Sequence, residues 1–91
     1  MPTVVVSYDI SDDKRRTKVW KLLKNYGQWM QFSLFECRVT DKDLVELRHE
    51  LMNRIKRDED SIRIYPLCQA CLRSVERIGG EKVREDGPII I

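Results

Sequence analysis

Asp9 closes an apolar run, Thr3-Val4-Val5-Val6-Ser7-Tyr8. It is followed by a polar turn, Ser11-Asp12-Asp13, and by a stretch from Lys14 to Lys24 that carries Lys14, Arg15, Arg16, Lys18, Lys21 and Lys24 without an acid. A carboxylate at the end of a buried strand is held by a rigid element yet faces solvent, which suits a ligand for a hard cation such as Mg²⁺. The neighbouring cationic side chains can hold a phosphate backbone close to such an ion. Together these residues point to phosphodiester chemistry.

Other chemistry-bearing residues give weaker signals. The cysteines are Cys37, Cys68 and Cys71, and Cys68-Gln69-Ala70-Cys71 has the spacing of half a zinc site or of a redox motif. His49 is the one histidine, so the partners for a zinc site are scarce, and reduced cysteines packed as small apolar residues are expected. His49 falls inside a helical pattern and reads as a surface residue rather than a general base. Asp12 and Asp13 are candidates to extend a metal shell around Asp9, but capping of the following helix better explains at least one of them.

The elements that must position these groups follow from periodicity. Residues 3 to 9 are β-branched and apolar and predict a strand. From Asp13 to about Asn25, Val19, Leu22, Leu23 and Tyr26 recur at the i, i+3, i+4, i+7 spacing of a buried helix face, with Lys14, Lys18 and Lys21 together on another. Gly27 is expected to stop this helix in the left-handed conformation. Gln28 to Val39 predicts two short strands or one sharply bent strand.

Thr40 with Asp43 at N3 makes a capping-box start for a second helix reaching Arg57, with Leu44, Leu47, Leu51 and Ile55 on its buried face. Ser61 to Leu67 predicts a strand in which Ile62, Ile64 and the ring of Tyr65 alternate. Cys68 to Leu72 suggests one helical turn, Ser74 to Ile78 a short edge strand, and Gly79-Gly80 a turn. The order β-α-β-β-α-β is that of an α+β, ferredoxin-like sandwich spanning residues 1–78. Residues 79–91 form a C-terminal extension, whose Ile89-Ile90-Ile91 end is expected to pair as a strand across a dimer or on a partner's sheet edge.

Composition limits the alternatives. With 91 residues, 42% hydrophobic and 35% charged, the chain accommodates one globular domain, small enough for oligomerisation to add stability. Its apolar runs fall short of the roughly 20 residues of a membrane span, and Met1-Pro2-Thr3 offers no basic leader, which predicts a cytoplasmic protein with no membrane partner. The formal charge of +2 hides a localised basic stripe at 14–24, beside a balanced segment at 41–60. Such a stripe marks either a polyanion-binding surface or a solvated helix face.

Three segments carry a family resemblance: Val-Ser-Tyr-Asp-Ile-Ser-Asp-Asp-Lys-Arg-Arg (6 to 16), Gln-Phe-Ser-Leu-Phe-Glu-Cys (31 to 37) and Ile-Arg-Ile-Tyr-Pro-Leu-Cys (62 to 68). In this order they resemble the small CRISPR-associated endonuclease family, the Cas-two proteins, over nearly the whole chain. The resemblance implies a ferredoxin-like homodimer in which Asp9 is the metal-linked catalytic residue at the dimer interface. It implies a Mg²⁺-dependent endonuclease on RNA or double-stranded DNA that is also the dimeric core bridging copies of the integrase Cas-one in spacer acquisition. It also assigns Tyr8, Arg15, Arg16, Lys18, Ser33 and Phe35 to the nucleic-acid-binding set. One position departs from the pattern: many relatives carry an Arg two positions before Gln31, and this chain has Trp29, which either stacks on a base or packs into the dimer interface, packing being favoured.

Two function classes remain open on these residues. In a metal-dependent phosphodiesterase, paired Asp9 carboxylates would be relieved of their repulsion by Mg²⁺, which polarises the phosphoryl group and supplies hydroxide. In a non-catalytic DNA-binding bridge, the single carboxylate per subunit and the absence of an accompanying histidine are no handicap. A regulatory or RNA-binding ferredoxin-like module fits the fold but lacks the aromatic RNP pattern on its strands.

Overall fold

The computed structural model describes residues 2–79. β1 (Thr3–Asp9), α1 (Asp13–Lys24), β2 (Gly27–Gln31), β3 (Leu34–Arg38), α2 (Asp41–Met52), β4 (Ser61–Leu67) and a short α3 (Gln69–Arg73) follow in order. The strands form one antiparallel sheet in the order β2-β3-β1-β4. Each βα unit therefore brackets a strand from the other half, which is the ferredoxin-like split βαβ arrangement. No helix among the described residues is long and apolar enough to cross a membrane.

Period-2 alternation decides the two faces of β1. Val4, Val6 and Tyr8 are buried with Phe35 and Cys37 of β3 beneath Val19, Trp20, Leu22 and Leu23 of α1 and Leu47 and Leu51 of α2. The Phe35 ring centres this core, with Trp20 edge-on at 6.2 Å and Tyr8 tilted at 6.4 Å. The helix periodicity located Val19, Leu22 and Leu23; Trp20 joins them, edge-on to Phe35 and with the Lys24 ammonium 5.1 Å from its ring centroid.

Capping sets the helix ends. Asp12 accepts the Arg15 N–H at 2.9 Å and is the N-cap of α1, and this bond is the main reason its carboxyl is held below the usual range. Thr40 and Asp43 form the expected capping box, with bonds of 3.1 and 3.4 Å. Gly27 is not a left-handed helix stop: α1 ends at Lys24 with Asn25 as a right-handed cap, and Gly27 is the first residue of β2. Its lack of a side chain matters for another reason. A Cβ there would meet the Glu36 carbonyl oxygen at 2.3 Å and the Cys37 Sγ at 2.6 Å.

The segment 28–39 resolves into two strands, β2 and β3, joined through Phe32, which adopts φ 39. The Trp29 indole N–H donates to the Phe32 carbonyl at 2.9 Å and holds this strained turn closed. α2 stops at Met52 rather than Arg57. After it the Asp60 carboxylate draws residues 56–60 into a loop, accepting the Lys56 N–H at 2.9 Å, while the Asp60 N–H bonds the Lys56 carbonyl at 2.7 Å.

Asp60 is also clamped to α1. Arg15 Nε donates to its Oδ2 at 2.7 Å and Nη2 to its Oδ1 at 3.1 Å, a bidentate pair with a fully buried carboxylate. Residues 74–78 do not form the expected edge strand; Ser74 caps α3 by donating to the Ala70 carbonyl, and Ile78 is 96% exposed. Gly79, expected in a turn, has φ 81, and Ile89-Ile90-Ile91, expected to pair as a strand, lies outside the described residues.

Two stability outcomes follow. The Arg15 hydrogen bond, ahead of the Lys56 N–H, holds the Asp60 carboxyl below the usual carboxylate range. Its stabilisation is therefore complete above the unfolded value of about 3.9 and is lost as pH falls through the lower folded-state value. Thermal melts of wild type and Asp60→Asn should show a lower Tm for the variant at pH 7 and a shallower decline below about pH 4; parallel curves would contradict the clamp. Gly27→Ala should destabilise by about 1–3 kcal/mol in urea denaturation, the scale of overpacking a filled site, because the clashing atoms are backbone and a buried thiol.

Candidate active site at the end of the first strand

Asp9 is the last residue of β1, exposed, and opposite Ser61 of β4. Two features keep this strand end in place. Tyr8 N–H donates to the Ser33 carbonyl at 3.1 Å, extending the β1–β3 ladder, and the Arg15–Asp60 clamp fixes the residue immediately before Ser61. The carboxylate therefore stands on a rigid element, as its position in the sequence suggested.

Around it is an open hollow of about 170 Å³ lined by Ser7, Tyr8, Asp9, Ser61, Arg63 and Tyr65. The register Ser7 to Arg63 and Asp9 to Ser61 puts Ser7, Asp9, Ser61, Arg63 and Tyr65 on the sheet face away from the helices, with Tyr8 reaching the hollow from the core side. Tyr65 is thus on the face opposite Ile62 and Ile64 and is 46% exposed, not part of their apolar alternation. Ser61, Arg63 and Tyr65 were missed in the sequence. Their period-2 spacing was visible there, but their alignment with Asp9 depends on β1–β4 pairing.

The donor set admits a cation in a limited way. No group of three or more His, Cys, Asp or Glu side chains that could hold a metal occurs among the described residues. Asp12 and Asp13 are occupied elsewhere, by the helix cap and by an ion pair with Arg16. Asp9 alone remains at the hollow. This fits Mg²⁺, which keeps several waters and binds through one or two carboxylates plus substrate phosphate oxygens.

The basic residues divide into two groups. Arg15 is committed to Asp60, tying α1 to the residue before β4, and Arg16 to the Ile10 carbonyl at 2.9 Å and to Asp13, tying down the β1–α1 turn. Lys14, Lys18 and Lys21 are exposed on α1. Lys18 and Lys21 border a recess of about 520 Å³ between α1 and α2 that also includes Leu22, Asn25, Asn53 and Arg54. Arg54 is itself paired with Glu50. Of the three basic positions assigned to nucleic-acid contact, Lys18 is the one with no ion pair among the described residues.

Tyr8 and Phe35 are both in the core. Tyr8 is 4% exposed and Phe35 0%, so both rings belong to the core, where neither can stack on a base. The Tyr8 hydroxyl is buried without a hydrogen-bond partner among the described residues, and burial pushes its pKa up against the opposing effect of Arg16. Ser33 contributes its backbone carbonyl to Tyr8, and its side chain is half-buried in the turn. Trp29 packs at the margin of the chain's own core.

The cysteines separate by environment. Burial pushes the Cys37 thiol up to about 11, which keeps it un-ionised in the core. Cys68 and Cys71 are exposed; Cys68 Sγ accepts the Cys71 N–H at 3.3 Å as the N-cap of α3.

Over residues 1–75 the chain matches the family described as CRISPR associated protein Cas2. It is 40% identical over 79 residues to the CRISPR-associated endoribonuclease Cas2 2 of Methanospirillum hungatei, covering 87% of this chain and 88% of that protein. It is 45% identical over 85 residues to the CRISPR-associated endoribonuclease Cas2 1 of Chloroflexus aurantiacus, covering 92% and 85%. Among solved structures it is similar to Streptococcus pyogenes Cas2 at pH 6.5, with TM-score 0.75 and 40% identity over 85% of this chain and 99% of that one. It is also similar to a chain of a partial Cas6-RT-Cas1-Cas2 complex, with TM-score 0.75 and 29% identity over 86% and 91%. With a family match across most of its length and the ferredoxin-like sheet that carries Asp9 at the end of β1, this chain belongs to the CRISPR associated Cas2 protein family.

Proposed function

We propose that this chain is a CRISPR adaptation protein with metal-dependent endonuclease activity on RNA or double-stranded DNA, acting as a homodimer in a complex with a Cas1 integrase. The single observation that carries the catalytic part is Asp9: an exposed carboxylate on a fixed strand end, in a hollow, while the neighbouring acids Asp12, Asp13 and Asp60 are all engaged in structure. The names of its relatives, endoribonuclease Cas2 among them, support nuclease chemistry, and its likeness to a chain of a Cas1-Cas2 complex supports the integrase partner.

Mg²⁺ held at Asp9 would supply Lewis-acid polarisation of a phosphoryl oxygen and a water of lowered pKa. The chain's own part is to bind and orient. Asp9 has its backbone fixed by the β1–β4 ladder, so its carboxylate needs little reorganisation to hold a cation beside a phosphodiester. The lysines of α1 attract the polyanion and release its counterions. In a two-fold dimer that brings the sheet faces together, the same operator acts on both Asp9 side chains, and a cation between them would offset their repulsion.

A scaffold without catalysis is the second reading, favoured by the exposed Lys14, Lys18 and Lys21 on α1, a surface separate from the Asp9 hollow.

Cleavage of labelled RNA and duplex DNA in Mg²⁺ or EDTA, by wild type and Asp9→Asn, tests the choice. Asp9→Asn should lower metal-dependent cleavage at least about a hundredfold, the scale of losing one preorganised electrostatic contact, while nucleic-acid affinity survives. Equal residual cleavage by both proteins would favour the scaffold. Light scattering at micromolar concentration should report twice the chain mass for both proteins. A monomeric wild type would remove the paired-carboxylate geometry, and loss of the dimer in Asp9→Asn alone would make Asp9 structural.

A further inference from the structure

The sheet needs a cation next to Asp9 if a phosphodiester is to be gripped there, and few positions can provide one. β2 reads Gly27-Gln28-Trp29-Met30-Gln31 and carries no basic residue. Arg38 of β3 lies at the far end of β1, opposite Thr3. Arg15 is bound to the buried Asp60, and Arg16 to Asp13 and the Ile10 carbonyl. Arg63 remains. It is opposite Ser7, two residues from Asp9 along β1, and its side chain lines the same hollow.

Its electrostatic situation is unusual in this protein. Arg63 and Asp9 share a hollow with opposite charges, yet neither makes an ion pair among the described residues. Two such charges held apart on neighbouring strands suit a ligand that is itself anionic and brings a cation. The hollow, about 170 Å³, compares with about 30 Å³ for one water, which leaves room for a phosphate group and part of its hydration. Tyr65 adds direction: it lines the same hollow two residues along β4 from Arg63, on the same sheet face and on the side away from Asp9.

We propose that Arg63, oriented by Tyr65, is the phosphate-binding residue of the Asp9 hollow, so that the nucleic-acid backbone is held from β4 rather than from β2. The inference rests on the reading of Asp9 as a phosphodiester site. A guanidinium presents a planar fork that matches two phosphate oxygens, and a lysine in its place supplies charge without that geometry. Tyr65 is a positioning residue, since it acts through Arg63.

Binding is measured first, in the Asp9→Asn background so that nothing is cut, by anisotropy of a labelled single-stranded RNA and of a labelled duplex DNA across a salt series. Arg63→Ala should weaken binding roughly tenfold, the scale of losing a charge-assisted contact, and lower the salt slope by about 0.7 for RNA or about 0.9 for duplex DNA. Whichever ligand shows the change is the one whose backbone enters the hollow. In protein with Asp9 intact, Arg63→Lys should restore most of the affinity but leave kcat at roughly a tenth of wild type or lower. Tyr65→Phe should lower kcat with KM within about twofold, the pattern of lost orientation rather than lost binding. Circular dichroism and light scattering check fold and mass. An Arg63→Ala protein of native fold and mass with unchanged affinity, salt slope and kcat/KM would overturn the proposal, even if Asp9→Asn abolishes cleavage. Loss of the dimer in Arg63→Ala would also overturn it, since Arg63 would then be holding the sheet faces together rather than a phosphate. If wild type cleaves nothing, the nuclease reading fails, and the binding arm still decides Arg63: a lost contact supports it and an unaltered slope rejects it.

Discussion

The Arg15 guanidinium and the Asp60 carboxylate meet across a separation of 45 residues, and much of the molecule's functional geometry depends on that pair. A carboxylate buried to this degree would be costly unless its oxygens were occupied. Here they are: Arg15 takes both, and the Lys56 N–H shares one. The result is a fixed point joining the first turn of α1 to the residue before β4. β4 thereby enters the sheet with Ser61 opposite Asp9, and the two-residue period then puts Arg63 and Tyr65 beside Ser7 and Val5. A shift of one residue would turn Arg63 toward the helices and Ile62 toward solvent, removing the hollow and exposing core at once.

The same alternation separates structure from chemistry along β1. Val4, Val6 and Tyr8 fill the core with Phe35 and Trp20, while Asp9 is left at the strand end in solvent. Adjacent residues of one short motif therefore have opposite roles. Tyr8 secures the strand through its ring and through its backbone bond to Ser33, and Asp9 inherits that rigidity. The motif Gln-Phe-Ser-Leu-Phe-Glu behaves alike: Phe35 anchors the core, and Phe32 and Ser33 make the turn that Trp29 closes.

Cationic side chains divide in a comparable way. Of those nearest Asp9 in sequence, Arg15 anchors α1 to the residue before β4, and Arg16 closes the turn that follows β1 through the Ile10 carbonyl. Lysines further along α1 remain on the surface with their charges exposed. Arginine suits the first task because its fork can occupy two acceptors at once, whereas lysine is a hydrated point charge suited to diffuse attraction of a polyanion. The basic stripe is thus both a structural clamp and an exposed cationic face.

Much of this architecture is legible in the sequence. The β-branched run fixes β1 and its terminal carboxylate, the 3.6-residue spacing of Val19, Leu22 and Leu23 fixes the inner face of α1, and Thr40 with Asp43 fixes the start of α2, because each signal is local and rests on backbone sterics or on hydrogen bonds within one turn. The placement of Asp9 at an exposed strand end was legible on the same grounds. Tertiary contacts decided the rest. Whether Gly27 served a helix end or a close strand crossing depended on Cys37 and Glu36 of β3, and the end of α2 depended on Asp60 being drawn toward Arg15. The surroundings of Asp9 were the least legible, since Arg63 and Tyr65 lie more than fifty residues away and reach it only through β1–β4 register, a property of paired strands that no single segment encodes.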